Sequence, residues 1–401
     1  MDNIDENDAP IPTPYYVVHE SKLLHNARLI NDVAERAGVK IIIALKANAL
    51  WKTFPIITPL FKDSTASSLN EMYLAMENLG GDVHVYCPVY TDASFEKFLQ
   101  GASHITFNSL AQYNRFADRL REHNATSERK VSAGLRVNPR CSVIDTEIYN
   151  PCTAGSRFGE NPDTIGEIIP EGLEGLHFHA LCESSSYDLE KVLQAFENQY
   201  GKLLPKLKWV NMGGGHLMTR KGYNTDHLVK LLREFKGRYP NLEVILEPGS
   251  AFTWQTGDLE VTVLDIVSRD GVNTAIIDSS FACHMPDTLE MPYRPNIRQA
   301  IPAEDNPEAS AAADSSKIAN AIAYRLGGNS CLTGDYVGDW YFDKPLHSGD
   351  RLTLLDMNHY TTVKTNMFNG VQHPDIYLHT SDGRMHLLRH FTYFDYKNRM
   401  D

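Results

Sequence analysis

The amino-acid sequence predicts an α/β protein built from a (β/α)8 barrel and a second, mostly antiparallel β domain. Short apolar runs rich in strand-forming residues alternate with stretches of helical periodicity over the first two thirds of the chain. Beyond about Leu259 the strand-like runs continue, but the long helices between them stop. The 401 residues also exceed what one hydrophobic core usually supports. Together these observations predict two domains.

Eight apolar runs in the first part of the chain are the candidate barrel strands. The runs are continuous rather than alternating, which is typical of parallel strands covered on both faces, and eight of them separated by helices fit a barrel. The expected strands are Val39–Lys46, Ser64–Ser67, Val83–Cys87, Ile105–Asn108, Val131–Asn138, Leu173–Leu181, Lys208–Met212 and Val244–Glu247. The helices expected between them include Leu69–Leu79, Ser109–Leu120, Leu189–Leu204 and Thr225–Tyr239.

The second domain is expected to consist mainly of strands. Its candidates are Leu259–Val267, Thr274–Asp278, Arg351–Leu355 and Ile376–Thr380, and the early run Tyr15–His19 is expected to join them. The expected boundaries are 1–35 for an N-terminal segment packing on the β domain, 36–258 for the barrel and 259–401 for the β domain. Residues 301–317 are rich in Ala, Ser, Pro and acids, so we expect an exposed loop there.

Composition favours a cytoplasmic protein that binds a small molecule. The formal net charge of -13 disfavours nucleic acid and anionic membranes as partners and suits a cationic ligand. None of the six cysteines forms a C-x-x-C pair, and scattered thiols are typical of a reducing compartment. The acidic start of the chain does not resemble a signal peptide, and no apolar run approaches the roughly 18 residues of a membrane span.

The polar residues at the carboxyl ends of the barrel strands are the first candidates for chemistry, because active sites of β/α barrels lie at that end. Lys46 closes the apolar strand IIIALK. Burial lowers the pKa of a lysine and makes its amine a candidate for imine formation. The alternative is a strand-end lysine that simply reaches solvent.

Two histidines lie on one face of the sixth strand. His177 and His179 flank Phe178 in GLHFHAL, and strand alternation places both on the same side. They are candidates for contact with a ligand or cofactor, or for a core role. They could also suggest a metal centre, as could His216 and His284, but no H-E-x-x-H or similar spacing supports one, so no metal is expected.

The seventh and eighth strands end in a glycine run and an acid. Gly213–Gly215 follow the strand KWVNM, and consecutive glycines followed by a helix can bind a phosphate through backbone N–H groups; a plain tight turn is the alternative. Glu247 ends VILEPG and is either a partner for a basic cofactor nitrogen or an ordinary salt-bridge acid. An amine, a ring, a phosphate site and an acid form the set that pyridoxal 5'-phosphate requires.

Ordered motifs along nearly the whole chain then indicate a family. They include ALKAN at Ala44–Asn48, ASSLNE at Ala66–Glu71, YNPC at Tyr149–Cys152, HMPDTLEMPYRP at His284–Pro295, SCLTGD at Ser330–Asp335 and DMNHYTTVK at Asp356–Lys364. In these motifs the chain resembles the alanine-racemase-fold (fold type III) decarboxylases, which include ornithine and diaminopimelate decarboxylases. Within that group it is most similar to the branch acting on carboxynorspermidine and carboxyspermidine.

The resemblance implies roles for the strand-end residues. Lys46 matches the Schiff-base lysine, and His179 matches the histidine that stacks on the ring of pyridoxal 5'-phosphate. Gly213–Gly215 match the phosphate-binding glycines, and Glu247 matches the acid on the pyridine nitrogen, which makes decarboxylation rather than racemisation the expected reaction. Tyr360 matches a tyrosine near the cofactor phosphate.

The resemblance also implies a homodimer with shared active sites. Cys331 matches a cysteine that reaches across the dimer interface and is implicated in protonating the product. Asp335, in the same loop, is expected to meet the distal amine of the substrate. Further candidate substrate contacts in the second domain are Asp278, His284, Asp287 and Glu290.

Two departures from the relatives bear on the substrate. Ser250 stands where ornithine-type enzymes have a phosphate-binding arginine. Leu332 replaces a substrate-contacting glutamate of diaminopimelate decarboxylases, which favours a polyamine-like substrate. The expected reaction is decarboxylation of carboxyspermidine or carboxynorspermidine to spermidine or norspermidine. The alternatives are a diamino-acid decarboxylase of the diaminopimelate, arginine or ornithine type, and a non-catalytic regulator of the same fold.

Overall fold

The computed structural model describes residues 3–4, 10–144, 146–291, 293–301 and 321–401. The chain divides into two compact units, Leu24–Phe252 and Met1–Leu23 with Thr253–Asp401. These boundaries differ from those expected at residues 35 and 258, because most of the helix Glu20–Ala37 belongs to the first unit. All but the first residue of the expected loop 301–317 lies outside the described residues.

The unit Leu24–Phe252 is a closed barrel of parallel strands. Its first strand is interrupted at Ile42, and the two halves pair with different neighbours. The half Lys40–Ile41 pairs with the last strand, whereas Ile43–Ala44 pairs with the second. Because one strand thus joins both ends of the sheet, the barrel closes, and the predicted β/α barrel is confirmed.

Eight strand positions are occupied within the described part of the barrel. They are Lys40–Ile41 with Ile43–Ala44, Ser64–Ala66, Val83–Tyr86, His104–Phe107, Ser132–Arg136, Leu173–His177, Trp209–Asn211 and Glu243–Leu246. The α-helices are Glu20–Ala37, Phe54–Ile57, Leu69–Asn78, Asp92–Gly101, Leu110–Thr126, Pro162–Ile165, Ser186–Tyr200, Thr225–Arg238 and Ser250–Thr253. No helix of the described residues is both long and apolar enough to cross a membrane.

One tryptophan is buried between the barrel strands. Trp209 packs with Ile42 and Ile245 in a buried cluster. Gly134 and Gly175 lie opposite each other on neighbouring strands, and Gly175 also pairs with Trp209. A Cβ atom on Gly134 would lie 2.1 Å from the indole ring, and one on Gly175 would lie 2.0 Å from it. Both glycines therefore make room for the indole.

The second unit is a mostly antiparallel sheet, as predicted. Its strands are Asn3–Ile4, Tyr15–His19, Gly257–Arg269, Val272–Ile277, Ile322–Gly327, Asp339–Phe342, Arg351–Leu354, Asp375–His379 and Met385–Arg389. Its short helices are Phe281–His284, Pro286–Glu290, Thr361–Lys364 and Tyr393–Lys397. The strands Ile322–Gly327, Asp339–Phe342 and Met385–Arg389 were not expected from the sequence.

The predicted N-terminal strand occupies a central place in this sheet. Tyr15–His19 pairs in parallel with Asp375–His379 and in antiparallel fashion with the start of Gly257–Arg269. Tyr15 and Tyr377 pack edge to face, with ring centroids 5.2 Å apart. Strands that are far apart in the sequence are therefore neighbours at the centre of this sheet.

Candidate active site

Lys46 lies just beyond the first barrel strand, at the carboxyl end of the barrel. Its side chain is solvent-exposed, and its Nζ atom is 3.5 Å from Nε2 of His179. Although the side chain opens to solvent, the barrel residues crowded around it reduce the hydration of the charged amine, which lowers its pKa, and the charge of Glu247 opposes that shift. The amine is therefore nearer its neutral, nucleophilic form than an ordinary lysine is.

His179 follows the sixth strand and is held by the glycine loop. Its Nδ1 atom accepts a hydrogen bond of 2.8 Å from the N–H of Gly214. A neutral imidazole that accepts at Nδ1 carries its proton on Nε2, the atom that faces Lys46. Burial, followed by the nearby charge of Lys46, lowers the pKa of His179 well below its usual value, so we assign this neutral form.

The loop Gly213–Gly215 is tightly packed against the neighbouring strand ends. Gly213 and Gly215 have φ angles of +66° and +89°, which favour glycine. A Cβ on Gly214 would lie 2.4 Å from the carbonyl oxygen of Glu247. The N–H groups of Gly213 and Gly214 already donate within the barrel, to Asn211 and His179. This leaves the N–H of Gly215 as the member of the run best placed to meet a phosphate.

The expected helix does not directly follow these glycines. The next helix of the described chain is Thr225–Arg238, well beyond the loop. The intervening residues instead return to the sixth-strand loop, where Leu217 N–H donates to the carbonyl of Ser184. The idea that a helix N-terminus points directly at the glycine run is therefore wrong for this chain.

Glu247 is buried and firmly positioned. Its Oε1 atom accepts a hydrogen bond of 2.7 Å from the side-chain amide of Asn211, and Thr65 also donates to the carboxylate. Nε2 of His177 is 3.7 Å from Oε2. Burial raises the pKa of Glu247, while the Asn211 hydrogen bond and the Lys46 charge act against that rise. The acid therefore holds a proton more readily than an exposed glutamate does.

Two further residues of this cluster were missed from the sequence. Asn211 joins the acid to the glycine loop, because its Nδ2 donates to Glu247 and its Oδ1 accepts from Gly213 N–H. Arg136 lies between the rings of Tyr86 and Phe158, at 4.7 and 4.5 Å from their centroids. Arg136 is the last residue of a barrel strand, so its position was a usable signal, whereas nothing local marks Asn211.

The β unit holds the remaining predicted residues, beginning with Tyr360. Its φ angle is +55° and its ψ angle is -40°, immediately before the helix Thr361–Lys364. A bulky side chain seldom adopts positive φ, and such backbone strain concentrates at functional sites. The conformation therefore supports the functional role that the sequence motif predicts for Tyr360.

Cys331 and Asp335 share a loop but differ in exposure. Cys331 is exposed, and its N–H donates to Oδ1 of Asn369 at 2.8 Å. Asp335 is only 3% exposed. Its carboxylate accepts from the hydroxyls of Ser280 and Ser330 at 2.8 and 2.6 Å and from the N–H of Ala282 at 2.9 Å.

Asp287 and His284 lie in the HMPDTLEMPYRP segment and are both buried. Oδ2 of Asp287 accepts hydrogen bonds from the hydroxyls of Tyr293 at 2.6 Å and Thr361 at 3.2 Å. Its Oδ1 has no hydrogen-bond partner among the described residues. Nδ1 of His284 is 2.9 Å from the Ser279 hydroxyl, and burial lowers the pKa of His284 to about 3, so the ring is neutral.

The other two candidate acids already have partners inside the β unit. Asp278 accepts from the Thr13 hydroxyl at 2.6 Å and from the N–H of Thr262 at 2.9 Å. Glu290 forms an ion pair with Lys364. Asp287 is therefore the acid of this group whose unpaired oxygen is best suited to receive a cation. The described residues contain no group of three or more His, Cys, Asp or Glu that could hold a metal ion.

Comparison with known proteins shows which family this chain belongs to. A family model described as "Pyridoxal-dependent decarboxylase, C-terminal sheet domain" matches residues 16–358. The chain belongs to this family of pyridoxal-dependent decarboxylases. The chain is therefore an enzyme, and the family resemblance, the decarboxylase class and the fold expected from the sequence are confirmed.

Three similar proteins indicate the branch of the family. The carboxyaminopropylagmatine decarboxylase of Synechocystis sp. is 43% identical over 99% of this chain and 98% of its own. The carboxynorspermidine/carboxyspermidine decarboxylase of Campylobacter jejuni is 38% identical, over 97% of this chain and 98% of its own. A crystal structure of carboxynorspermidine decarboxylase from that organism, complexed with norspermidine, superposes with a TM-score of 0.85 at 37% identity. The match covers 97% of this chain and 100% of that one.

Proposed function

We propose that this enzyme decarboxylates carboxyspermidine or carboxynorspermidine, giving spermidine or norspermidine in polyamine biosynthesis. The observation that carries the proposal is the near-complete match, at 38% identity, to a relative named for both substrates. The norspermidine complex of a chain with the same fold supports a polyamine-like ligand. The net charge of -13 also suits a polycationic substrate.

We propose pyridoxal 5'-phosphate as the cofactor, held at the carboxyl end of the barrel. The residues fit it: Lys46 offers an amine of lowered pKa, and Glu247 offers a buried acid. The loop Gly213–Gly215 is too crowded for side chains and brings backbone close to the site. When bound, the cofactor supplies the electron sink that allows the bond to the carboxylate to break.

The barrel residues have distinct proposed tasks. Lys46 would hold the cofactor covalently through its amine. Glu247, held in place by Asn211, would pair with the pyridine nitrogen and favour its protonated form. His179 contacts the face of the ring, in an orientation that Gly214 fixes through Nδ1. Tyr360 contacts the phosphate.

We further propose that the enzyme is a homodimer with shared active sites. Cys331 serves the site of a second copy and delivers a proton to the carbon that has lost its carboxylate. Its exposure on the isolated chain is consistent with a residue that acts outside its own subunit. The exposed Leu332 and Tyr336 of the same loop are apolar surface that a second copy would cover.

Asp287 is the proposed partner for a cationic amine of the substrate. It is 7% exposed, and its Oδ1 has no hydrogen-bond partner in the described residues. A buried carboxylate oxygen without a donor is costly, and an ammonium group would satisfy it. His284, neutral and nearby in sequence, is a proposed second contact.

A related substrate is the second candidate. The relative at 43% identity is named carboxyaminopropylagmatine decarboxylase, so the amine chain of its substrate ends in a guanidinium group. A carboxylate can bind such a group through two parallel hydrogen bonds. The difference between the two candidates therefore lies at the end of the substrate furthest from the reacting carbon.

A panel of substrates separates these possibilities. CO₂ release is measured with carboxyspermidine, carboxynorspermidine, carboxyaminopropylagmatine, diaminopimelate, arginine and ornithine under identical conditions. We expect carboxyspermidine or carboxynorspermidine to give the highest kcat/KM. Best turnover of carboxyaminopropylagmatine would select the second candidate, and best turnover of a simple diamino acid would contradict both. A colourless protein that cannot be reconstituted with the cofactor would favour the regulator hypothesis.

A further inference from the structure

The carboxylate of Asp335 already accepts hydrogen bonds from protein groups, whereas a residue that binds the substrate needs a carboxylate oxygen free to accept from it. Its two oxygens accept from Ser280, Ala282 and Ser330, all within the β unit. A Cβ on Gly328 would lie only 2.2 Å from Oδ2, so the carboxylate is also tightly enclosed. An acid this satisfied gains little from a substrate amine, because the amine would have to displace good hydrogen bonds.

We infer that Asp335 is a positioning residue, which holds the loop bearing Cys331 in place rather than binding the substrate. This inference rests on the proposed function, in which Cys331 delivers the proton. The carboxylate ties the loop to the neighbouring segment. It accepts from Ser330, directly before Cys331, and from Ser280 of that segment.

Backbone contacts make the same loop compact. Gly328 N–H donates to the carbonyl of Asp335, and Asp335 N–H donates to the carbonyl of Leu332, at 2.8 and 3.0 Å. Asn329 N–H donates to the carbonyl of Ser279 at 3.0 Å. The loop is therefore held by hydrogen bonds within itself and to the segment of Ser279 and Ser280. The carboxylate of Asp335 is buried, and the thiol of Cys331 is exposed.

A second anchor fixes the cysteine from the opposite side. Asn369 accepts the N–H of Cys331 from a left-handed conformation, with φ of +57° and ψ of +9°. Asn366 ties the adjoining stretch to the same support, because its Nδ2 donates to the carbonyl of Ala282 at 2.8 Å. Ala282 thus contacts Asp335, to which its N–H donates, and also the stretch that carries Asn369, through the side chain of Asn366.

The variant Asp335→Asn distinguishes a positioning role from a substrate-binding role, because an amide keeps hydrogen-bonding capacity but loses the negative charge. In a positioning role, the hydroxyls of Ser280 and Ser330 can turn and accept from an amide, while the amide oxygen still accepts from Ala282 N–H. Only the N–H of Ser330, which donates to Oδ2 of Asp335 at 3.3 Å, loses its acceptor. Asp335→Asn should therefore retain most of the loop order. In a substrate-binding role the negative charge itself is required, so Asp335→Asn should be as harmful as Asp335→Ala.

The test compares Asp335→Ala, Asp335→Asn and Ser280→Ala in the holoenzyme. Asp343→Asn is the control, at an exposed acid directly after the strand Asp339–Phe342. We expect Asp335→Ala to lower kcat about 10- to 100-fold with KM little changed, because a small misplacement of a reacting group costs that much. Asp335→Asn should restore most of kcat. Ser280→Ala should give an intermediate loss, and Asp343→Asn should match the wild type.

Hydrogen exchange of the peptide covering residues 328–336 provides a readout that needs no substrate. Asp335→Ala should speed exchange there and leave the barrel peptides unchanged, whereas Asp335→Asn should not. Equal rises in KM for both variants with kcat preserved, or unchanged exchange in Asp335→Ala, would overturn the inference. If the wild type turned over no substrate in the panel, the proposed function would fail, while a faster exchange would still assign Asp335 to loop order.

Discussion

At the level of single residues, the two central ionisable groups of the barrel are shifted towards neutrality. The surrounding protein lowers the pKa of Lys46 and raises the pKa of Glu247, because each charged form loses hydration. The residual attraction between the two charges works against both shifts. A lysine of lowered pKa is a better nucleophile than an ordinary lysine, and a glutamate of raised pKa holds a proton more readily than an ordinary glutamate, and perturbed groups of this kind are typical of active sites.

Replacing Lys46 tests the first of these tasks. Lys46→Ala should abolish turnover, and Lys46→Arg should do the same, because a guanidinium keeps the charge but does not form the covalent link. CO₂ release gives the activity, and the mass of the protein after borohydride treatment reports the linkage. Lys97→Ala, at an exposed helix position, is the matched control. Unchanged turnover in Lys46→Ala would refute the assignment.

The residues found from sequence share one property: each is recognisable from its own segment. Lys46 and Glu247 end apolar strands, and Gly213–Gly215 form a visible run. Asn211 could not be found in that way, since its role depends on a contact with Glu247, a residue remote in sequence. The engaged state of Asp335 was hidden for the same reason, because its partner Ser280 also lies far away along the chain.

At the level of elements, the barrel interior depends on complementary sizes of neighbouring side chains. Trp209 occupies space that two facing glycines, Gly134 and Gly175, leave empty. The indole Nε1–H donates to the hydroxyl of Ser132 at 2.9 Å, so the ring is oriented as well as packed. This arrangement fills the barrel below the cluster of Asn211 and the other site residues.

Adding a methyl group at either glycine should therefore destabilise the barrel. Gly175→Ala is expected to cost about 1–3 kcal/mol in the free energy of unfolding, because overpacking forces neighbours to move. Urea denaturation measures the change. Trp209→Leu should relieve part of the cost in the double variant. Gly237→Ala, in a helix with open space around it, should instead stabilise by about 0.5–1 kcal/mol; a similar loss there would argue against a steric cause.

Most barrel strands could be predicted because each is a continuous apolar run, and their observed limits differ from the predicted ones by a few residues. The strand Ile322–Gly327 was missed because polar and apolar residues mix in it and it begins beside a segment rich in Ala and Ser. The helix predicted at Thr225–Tyr239 is found at Thr225–Arg238. What the sequence did not indicate is the path from Gly215 to this helix, since the contacts that carry the chain back to Ser184 are not local.

At the level of the whole molecule, buried neutral histidines make stability depend on pH. Burial lowers the pKa of His216 to about 4 and that of His284 to about 3. As pH falls below about 6.5, the unfolded chain binds protons at these positions and the folded chain does not. The free energy of unfolding should therefore decrease between pH 6.5 and 4, by up to about 1.4 kcal/mol per pH unit for each such residue.

Urea midpoints measured across this pH range check the expected slope. His284→Gln, which cannot bind the proton, should flatten it, and His347→Gln, at an exposed position, should not. A slope that is identical in His284→Gln and the wild type would show that His284 does not contribute.

The proposed dimer makes a separate prediction about pairs of inactive variants. Lys46→Ala and Cys331→Ala should each have little activity. After mixing and subunit exchange, half of the dimers are heterodimers, each with one intact site if the sites are shared. Activity should then recover to about one quarter of the wild-type value. Failure to recover, with exchange verified by mass spectrometry, would contradict shared sites.

The central position of Tyr15–His19 has a consequence for biosynthesis. The strand emerges from the ribosome early, but its neighbours, Gly257–Arg269 and Asp375–His379, are made after every strand of the barrel. Pairing between distant segments is slow, and an unpaired strand edge can recruit other chains. The barrel can therefore complete itself during synthesis, whereas the sheet must wait for the last strands. A nascent chain released too early should aggregate through this waiting strand.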